Sequence, residues 1–218
     1  MQRQTAVVLG ATGMVGGILL QQLLQNDQFG RVRILVRKPL SFEHPKLDIK
    51  LVNFNDPESF EDAMGNGDSL FCCVGTTQKK VNNDKTAYRK VDYDIPVTSA
   101  QIAAKHHFSK YLLVSAVGAN PNSGNFYLQL KGSVEEDISA LPFGSIHIFR
   151  PSLLLGHRKE KRVMEKTMQA VMPALSWLMV GPMRKYRPIT AIKVAEAMVH
   201  AALSDARGIQ IYEYDKMK

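Results

Sequence analysis

Three glycines near the start of the chain, Gly10, Gly13 and Gly16, separate a predicted strand from a predicted helix. Residues 5–9 are an apolar run with β-branched side chains, which predicts a buried strand, and apolar residues after Gly16 recur at helical spacing. In this context the glycines let a pyrophosphate approach the backbone, and the helix start offers free N–H groups. The segment therefore predicts a dinucleotide site rather than an ordinary glycine-rich turn. The residues predicted to contact the cofactor here are Gly10, Thr12, Gly13, Met14, Val15 and Gly16.

Seven predicted strands separated by helices account for most of the 218 residues. This alternation predicts an α/β fold: a Rossmann-type, doubly wound, mainly parallel seven-stranded sheet. The predicted strands are residues 5–9, 32–36, 50–54, 69–74, 111–115, 145–149 and 209–214. We predict one NAD(P)-binding domain over residues 1–218, with a small substrate-covering insertion at residues 156–188. The insertion would either line a lipophilic pocket or pack two short helices with Met164, Met168, Met172, Trp177, Met179 and Met183.

The end of the second predicted strand bears on cofactor choice. It reads Val36-Arg37-Lys38, with no carboxylate before Glu43. An NAD enzyme needs an acidic residue there to hold the ribose hydroxyls. A guanidinium can instead bind a 2′-phosphate through two charge-assisted hydrogen bonds. The sequence therefore favours NADP (NADPH) over NAD, with Arg37 as the phosphate ligand and a solvated basic strand end as the alternative.

Tyr127 and Lys131 lie four residues apart on a predicted helix, so they share one face. A phenol has a reference pKa of about 10, and a nearby ammonium lowers that value toward neutrality. Ser115 stands at the carboxyl end of the fifth predicted strand, where ligands bind in open α/β sheets. We predict that Ser115 holds the substrate oxygen, that Tyr127 exchanges its proton, and that Lys131 binds the cofactor ribose. The alternative is a packed aromatic ring beside a solvated lysine.

These motifs together resemble the short-chain dehydrogenase/reductase superfamily. With Cys-Cys-x-Gly-Thr-Thr, Ser-x-x-Gly-Ala, Tyr-Leu-Gln-x-Lys-Gly and Phe-Arg-Pro added, the chain is similar to an atypical branch, the oxidoreductases related to the Tat-interacting protein. The likeness runs from residue 5 to residue 212. It implies further cofactor contacts at Asn53, Phe54, Gly75, Thr76, Thr77, Lys131 and Arg150.

Asp92 falls where members of the superfamily often have an asparagine that organises a water chain to the lysine. A carboxylate here would either lie near Lys131 or decorate the surface of a helix. The sequence leaves both alternatives open.

Two functions follow from these motifs. The first is an NADPH-dependent oxidoreductase that acts on a small carbonyl or alcohol by hydride transfer, with Tyr127 as acid and base. The second is a non-catalytic NADPH-binding sensor or regulatory scaffold that binds partner proteins. The set of Ser115, Tyr127 and Lys131 favours the first, because a sensor does not need an activated phenol. The resemblance implies the second, because its animal members are described as NADPH-binding regulators of transcription, apoptosis and nuclear import.

Composition narrows the partners and the compartment. The net charge of +8 would attract anions, yet no recognition helix, aromatic RNA platform or metal-ligand spacing accompanies it. We therefore expect no metal and no nucleic acid, and leave monomer and homodimer open. Cys72 and Cys73 are expected on opposite faces of a strand in a reducing compartment. The predicted strand at residue 5 leaves no room for a secretory segment, and residues 170–181 are too short to span a bilayer, so the expected location is the cytoplasm.

Overall fold

The computed structural model describes residues 3–77, 81–155 and 180–218. The main strands are β1 Gln4–Leu9, β2 Phe29–Val36, β3 Leu47–Leu51, β4 Ser69–Cys72, β5 Lys110–Val114, β6 Ser145–Phe149 and β9 Gly208–Tyr212. They form one sheet in the order β3-β2-β1-β4-β5-β6-β9, and every neighbouring pair is parallel. Two short strands, β7 Leu154–Leu155 and β8 Ile189–Thr190, pair separately. The predicted Rossmann-type α/β fold is confirmed.

Helices cover both faces of this sheet. They are α1 Met14–Gln25, α2 Pro57–Met64, α3 Lys85–Arg89, α4 Ile95–Lys105, α5 Phe126–Ser139, α6 Ala191–Leu203 and α7 Tyr214–Met217. A π-helical turn, Lys90–Asp94, joins α3 to α4, and a 3₁₀ helix spans Gly181–Tyr186.

The core is divided by the sheet into two layers. Alternate residues of β1 belong to different layers: Ala6 and Val8 pack toward α1 and α6, whereas Val7 and Leu9 pack toward α2, α4 and α5. Because both faces are covered, the central strands are apolar at successive positions instead of alternating with polar residues. Cys72 and Cys73 follow the same rule and lie on opposite faces, as the sequence predicted.

The third strand lies three residues earlier than the sequence predicted, at Leu47–Leu51 instead of residues 50–54. It is an edge strand without a fully buried residue, so its own hydrophobic pattern is weak. The apolar residues that follow it belong to a turn: Val52 is buried, and Phe54 packs edge-on against Phe60 with ring centroids 4.9 Å apart. Burial in that turn, and not strand pairing, accounts for the apolar signal at residues 52–54.

Most of the predicted insertion at residues 156–188 lies outside the described residues. Its Met164, Met168, Met172, Trp177 and Met179 therefore have no structural description. Met183, in the 3₁₀ helix, is exposed. The insertion as a substrate-covering segment stays a prediction.

The strand order also fixes where a ligand can bind. From β1, the chain proceeds through β2 and β3 to one side of the sheet and through β4, β5 and β6 to the other. A crevice opens outside the carboxyl ends of the strands at such a reversal, here between β1 and β4.

His147 on β6 is a fully buried histidine that takes no part in this crevice. One ring nitrogen lies 3.0 Å from Ser145 Oγ, and the other lies 2.9 Å from the Tyr212 hydroxyl. Burial, with a smaller contribution from the charge of Lys110, lowers the pKa of His147 from 6.5 to about 4. The folded chain therefore keeps this ring neutral where an unfolded chain would protonate it.

This difference predicts a dependence of stability on pH. Below about pH 6.5 the unfolded state gains a proton that the folded state does not accept until about pH 4, so the free energy of unfolding falls across that interval by about 3 kcal/mol. Denaturant unfolding at a series of pH values measures it. His147→Gln should flatten this slope, while the exposed His200→Gln should keep it; equal slopes in all three proteins would contradict the assignment.

Candidate active site

The predicted site residues gather at the carboxyl edge of the sheet. Because all the strands are parallel, the residues that follow them lie along the same edge. Gly10 follows β1, Arg37 follows β2, Asn53 lies beyond β3, Gly75 lies beyond β4, Ser115 follows β5 and Arg150 follows β6. The structure thus brings segments far apart in the sequence to one crevice.

The glycine turn leaves no room for side chains at two of its positions. Gly10 has a φ of +79°, and a Cβ there would lie 2.5 Å from the carbonyl oxygen of Cys73. A Cβ on Gly16 would lie 2.2 Å from the carbonyl oxygen of Gly10. The start of α1 is therefore held directly against the turn, and the turn against the end of β4.

The start of α1 offers backbone donors at this turn. Gly13 is the N-cap and has no side chain to satisfy the first N–H groups of the helix, which lack intrahelical partners. Thr12 is exposed and Met14 is half-buried, while the side chain of Val15 lies in the core, so Val15 can offer only its backbone N–H. Free amides at a helix start, with no side chain at Gly13 to cap them, fit an anionic phosphate.

A second part of the crevice is an open cleft of about 830 Å³. Arg37, Asn53 and Phe54, all predicted as cofactor residues, line it together. Arg37 is exposed, and the described residues place no carboxylate within ion-pair distance of it. Two residues that the sequence did not indicate line the same cleft: Lys90 adds a second cation and Asp94 adds a carboxylate. The cleft is therefore suited to a planar base with a phosphate nearby.

The segment after β4 carries three of the predicted contacts, Gly75, Thr76 and Thr77. The Thr76 N–H donates to Asp92 Oδ2 at 2.7 Å, so its backbone is fixed. The hydroxyl of Thr77 is buried, and no group in the described part of the chain hydrogen-bonds to it. A buried polar group without a partner costs free energy, so this hydroxyl is suited to a ligand.

Tyr127 and Lys131 lie on α5, which begins where Asn125 accepts the N–H groups of Tyr127 and Leu128. Their side chains are close enough for the phenol to affect the charge of the lysine. The ring of Tyr127 also meets Tyr88 edge-on, with centroids 6.5 Å apart. Tyr127 is half-buried and Lys131 is buried, and their role as a catalytic pair stays a prediction.

Asp92 is the buried neighbour of this lysine. Only 1% of Asp92 and 5% of Lys131 is exposed, and Asp92 Oδ1 lies 3.0 Å from Lys131 Nζ. Burial opposes the ammonium charge, but Asp92 and Tyr127 outweigh it and hold the pKa of Lys131 above its usual value. Of the two alternatives that the sequence left open, the structure shows the carboxylate beside the lysine.

Ser115 and Arg150 meet at a second buried carboxylate, Glu135. The Ser115 hydroxyl donates to Glu135 Oε1, and Arg150 Nε donates to the same oxygen at 3.1 Å. Arg150 Nη2 is 2.5 Å from Glu135 Oε2, and the hydrogen bond to Glu135 raises the pKa of the guanidinium. Arg150 therefore already uses two of its nitrogens within the protein, and its predicted contact with the cofactor stays a prediction.

Glu135 was missed although the sequence held a signal for it. Tyr127, Lys131 and Glu135 are spaced at i, i+4 and i+8, so they form one stripe along α5. Extending the spacing of the first two by one more turn would have found the third.

Comparison with known proteins indicates the family and the fold to which this chain is similar. A family model described as NAD(P)H-binding matches residues 10–188. Rat protein HTATIP2 is 34% identical over 165 residues, which cover 74% of this chain and 67% of that protein. The Saccharomyces cerevisiae protein FMP52, mitochondrial, is 33% identical over 159 residues, covering 72% and 68%. The Bordetella bronchiseptica enzyme WbmH, solved in complex with NAD+, matches with a TM-score of 0.73 at 13% identity, over 97% of this chain and 76% of that one, which shows a shared fold.

One expectation is corrected by these relatives. The sequence predicted a cytoplasmic location, but FMP52 proteins from several fungi are named mitochondrial, which points away from a purely cytoplasmic protein. Separately, none of the helices that the structure describes has the length and apolarity needed to cross a membrane.

Proposed function

This chain belongs to the NAD(P)H-binding family with the short-chain dehydrogenase/reductase fold, and from that premise we propose that it is an NADPH-dependent oxidoreductase acting on a small carbonyl or alcohol. The observation that carries the proposal is the pairing of Tyr127 with a buried, charged Lys131 on one face of α5. A phenol beside an ammonium is equipped to exchange a proton near neutral pH.

The residues present fit the cofactor. The amides at the glycine turn would hold the pyrophosphate, Arg37 and Asn53 would line the adenosine end, and the segment Gly75, Thr76 and Thr77 would lie beside its middle. When bound, NADPH supplies the hydride and NADP+ accepts it in the reverse direction. Arg37 carries the preference for the 2′-phosphate, because a guanidinium can bind it with paired hydrogen bonds.

Side chains of this protein transfer the proton. Tyr127 donates its phenolic proton to the substrate oxygen during reduction and takes it back during oxidation. Lys131 stabilises the phenolate left on Tyr127, because the opposite charges attract. The Ser115 hydroxyl orients the substrate oxygen by donating its hydrogen bond to the substrate instead of to Glu135. Arg150 continues to balance the negative charge of Glu135 during that exchange.

Arg37→Asp is expected to weaken NADPH binding by about a hundredfold and NADH binding by less than about threefold, because only NADPH loses two charge-assisted hydrogen bonds and meets a repelling carboxylate. Fluorescence titration with each nucleotide measures both dissociation constants. Arg31→Asp, the same charge change at an exposed position within β2, is the matched control and should spare both. An equal loss for the two nucleotides would refute the phosphate assignment.

The class of function is decided by NADPH fluorescence titration followed by a panel of small ketones, aldehydes and alcohols. Binding with turnover of any panel member supports the oxidoreductase. Binding without turnover, together with a protein partner whose affinity follows NADPH occupancy, supports the regulatory scaffold instead. Absence of NADPH binding would contradict both.

A further inference from the structure

Asp92 uses its two carboxylate oxygens on two different parts of the site. Oδ1 is 3.0 Å from Lys131 Nζ, and Oδ2 accepts the Thr76 N–H at 2.7 Å. The residue lies in the π-helical turn Lys90–Asp94, where the Ile95 N–H bonds back to the Lys90 carbonyl oxygen. Such turns insert one extra residue into a helix and are frequent at functional sites. The side chain of Asp92 is thereby directed between β4 and α5.

The charge of Lys131 depends on this carboxylate. The titratable groups that act on its ammonium are Asp92 from the π-helical turn, Tyr127 from its own helix and Cys72 from β4. Burial raises the pKa of the Cys72 thiol, so Cys72 contributes no negative charge near neutral pH. In the described part of the chain, Asp92 is the carboxylate within ion-pair distance of Lys131. Without it, a buried ammonium would favour its neutral form.

Stability alone does not explain a charged pair at this position. A buried ion pair loses the hydration of both partners, and a well-packed apolar pair of similar volume is often at least as stable. An asparagine could still accept the Thr76 N–H, but its amide has no charge to balance the ammonium. The carboxylate therefore does something that neither replacement could do.

We propose that Asp92 is a positioning residue that keeps Lys131 charged beside Tyr127 and ties it to the Thr76 segment through one buried carboxylate. The use of Lys131 in proton transfer rests on the proposed function, whereas the dependence of its charge on Asp92 does not. In this arrangement, displacement of the Thr76 segment also disturbs the counter-ion of the lysine. The position of the Thr76 segment and the charge of Lys131 are thereby coupled.

The test compares Asp92→Asn with Asp94→Asn in the full chain. Asp94 lies in the same turn with a half-exposed side chain 3.8 Å from Arg89, so it is a matched control. Titration of ¹³C-labelled lysine by NMR, with Lys131 assigned through Lys131→Met, follows the ammonium directly. We expect Lys131 to lose its proton at a pH at least about one unit lower in Asp92→Asn than in the wild type. The control should titrate as the wild type does.

NADPH affinity provides a second reading. In Asp92→Asn, affinity should begin to fall at a pH at least about one unit lower than in the wild type, because a neutral amine binds the ribose hydroxyls less strongly than an ammonium. Between about pH 7 and about pH 9 the affinity of the wild type should change by less than about twofold. If the wild type binds no NADPH, the proposed function fails, and the NMR titration still decides the role of Asp92.

Identical Lys131 titrations in the wild type and Asp92→Asn would overturn the proposal. Should Asp92→Asn fail to fold, the double variant Asp92→Asn/Lys131→Met decides the matter. Recovery of folding would show that the uncompensated ammonium caused the failure and would support the proposal. Continued failure to fold would overturn it, because the loss would then not depend on the lysine.

Discussion

Tyr127→Phe is expected to lower turnover of a carbonyl or alcohol substrate by about 10²-fold to 10⁴-fold, the usual contribution of a positioned general acid. NADPH affinity should change by less than about twofold, because phenylalanine preserves the edge-on contact with Tyr88 and leaves Lys131 paired with Asp92. Steady-state kinetics at saturating substrate, together with fluorescence titration of NADPH, measures the two effects separately. Lower turnover with unchanged binding would locate the defect in proton transfer.

Tyr93→Phe is the matched control for this substitution. Tyr93 lies in the π-helical turn, and its hydroxyl bonds to Asp137 at an exposed position of α5. It also loses a phenolic hydroxyl near the same helix, yet turnover should stay within about twofold of the wild type, because this hydroxyl lies outside the site. If Tyr127→Phe kept more than about a tenth of the activity, the proton donor would have to be another group.

Gly16→Ala is expected to weaken NADPH binding by about a hundredfold, equivalent to about 3 kcal/mol, because the new methyl group would overlap backbone atoms. Its Cβ would lie 2.2 Å from the carbonyl oxygen of Gly10 and 2.7 Å from the carbonyl carbon. Neither atom can move without displacing the turn that offers its amides to the pyrophosphate. Fluorescence titration measures the loss of affinity, and circular dichroism shows whether the fold survives.

Gly17→Ala, at the neighbouring position, is the matched control for Gly16→Ala. A Cβ there would lie 3.5 Å from the carbonyl oxygen of Ala11, which is ordinary van der Waals contact. Since alanine is the better helix former, this variant should bind NADPH normally and unfold with a free energy up to about 1 kcal/mol higher. Equal binding by the two variants would contradict the steric account of Gly16.

The sequence predicted best where one segment carries its own signal. The glycine turn was recognisable because a strand, three glycines and a helix follow one another within a short stretch. Tyr127 and Lys131 were expected to share a face because a helix repeats every 3.6 residues, and α5 does span both. The third strand was misplaced because an exposed edge strand has little hydrophobic pattern, whereas the buried turn after it has a strong one.

By itself, the sequence determined that the fold is a mainly parallel α/β sheet, in which order the strands follow one another along the chain, and which residues stand near their carboxyl ends. Only the tertiary structure decided that Asp92 faces Lys131, that Ser115 and Arg150 meet on Glu135, and that Lys90 joins Arg37 in one cleft. The physical reason is range. Periodicity and turn preferences act between residues a few positions apart, whereas these contacts join elements that meet only after the sheet and its covering helices have packed.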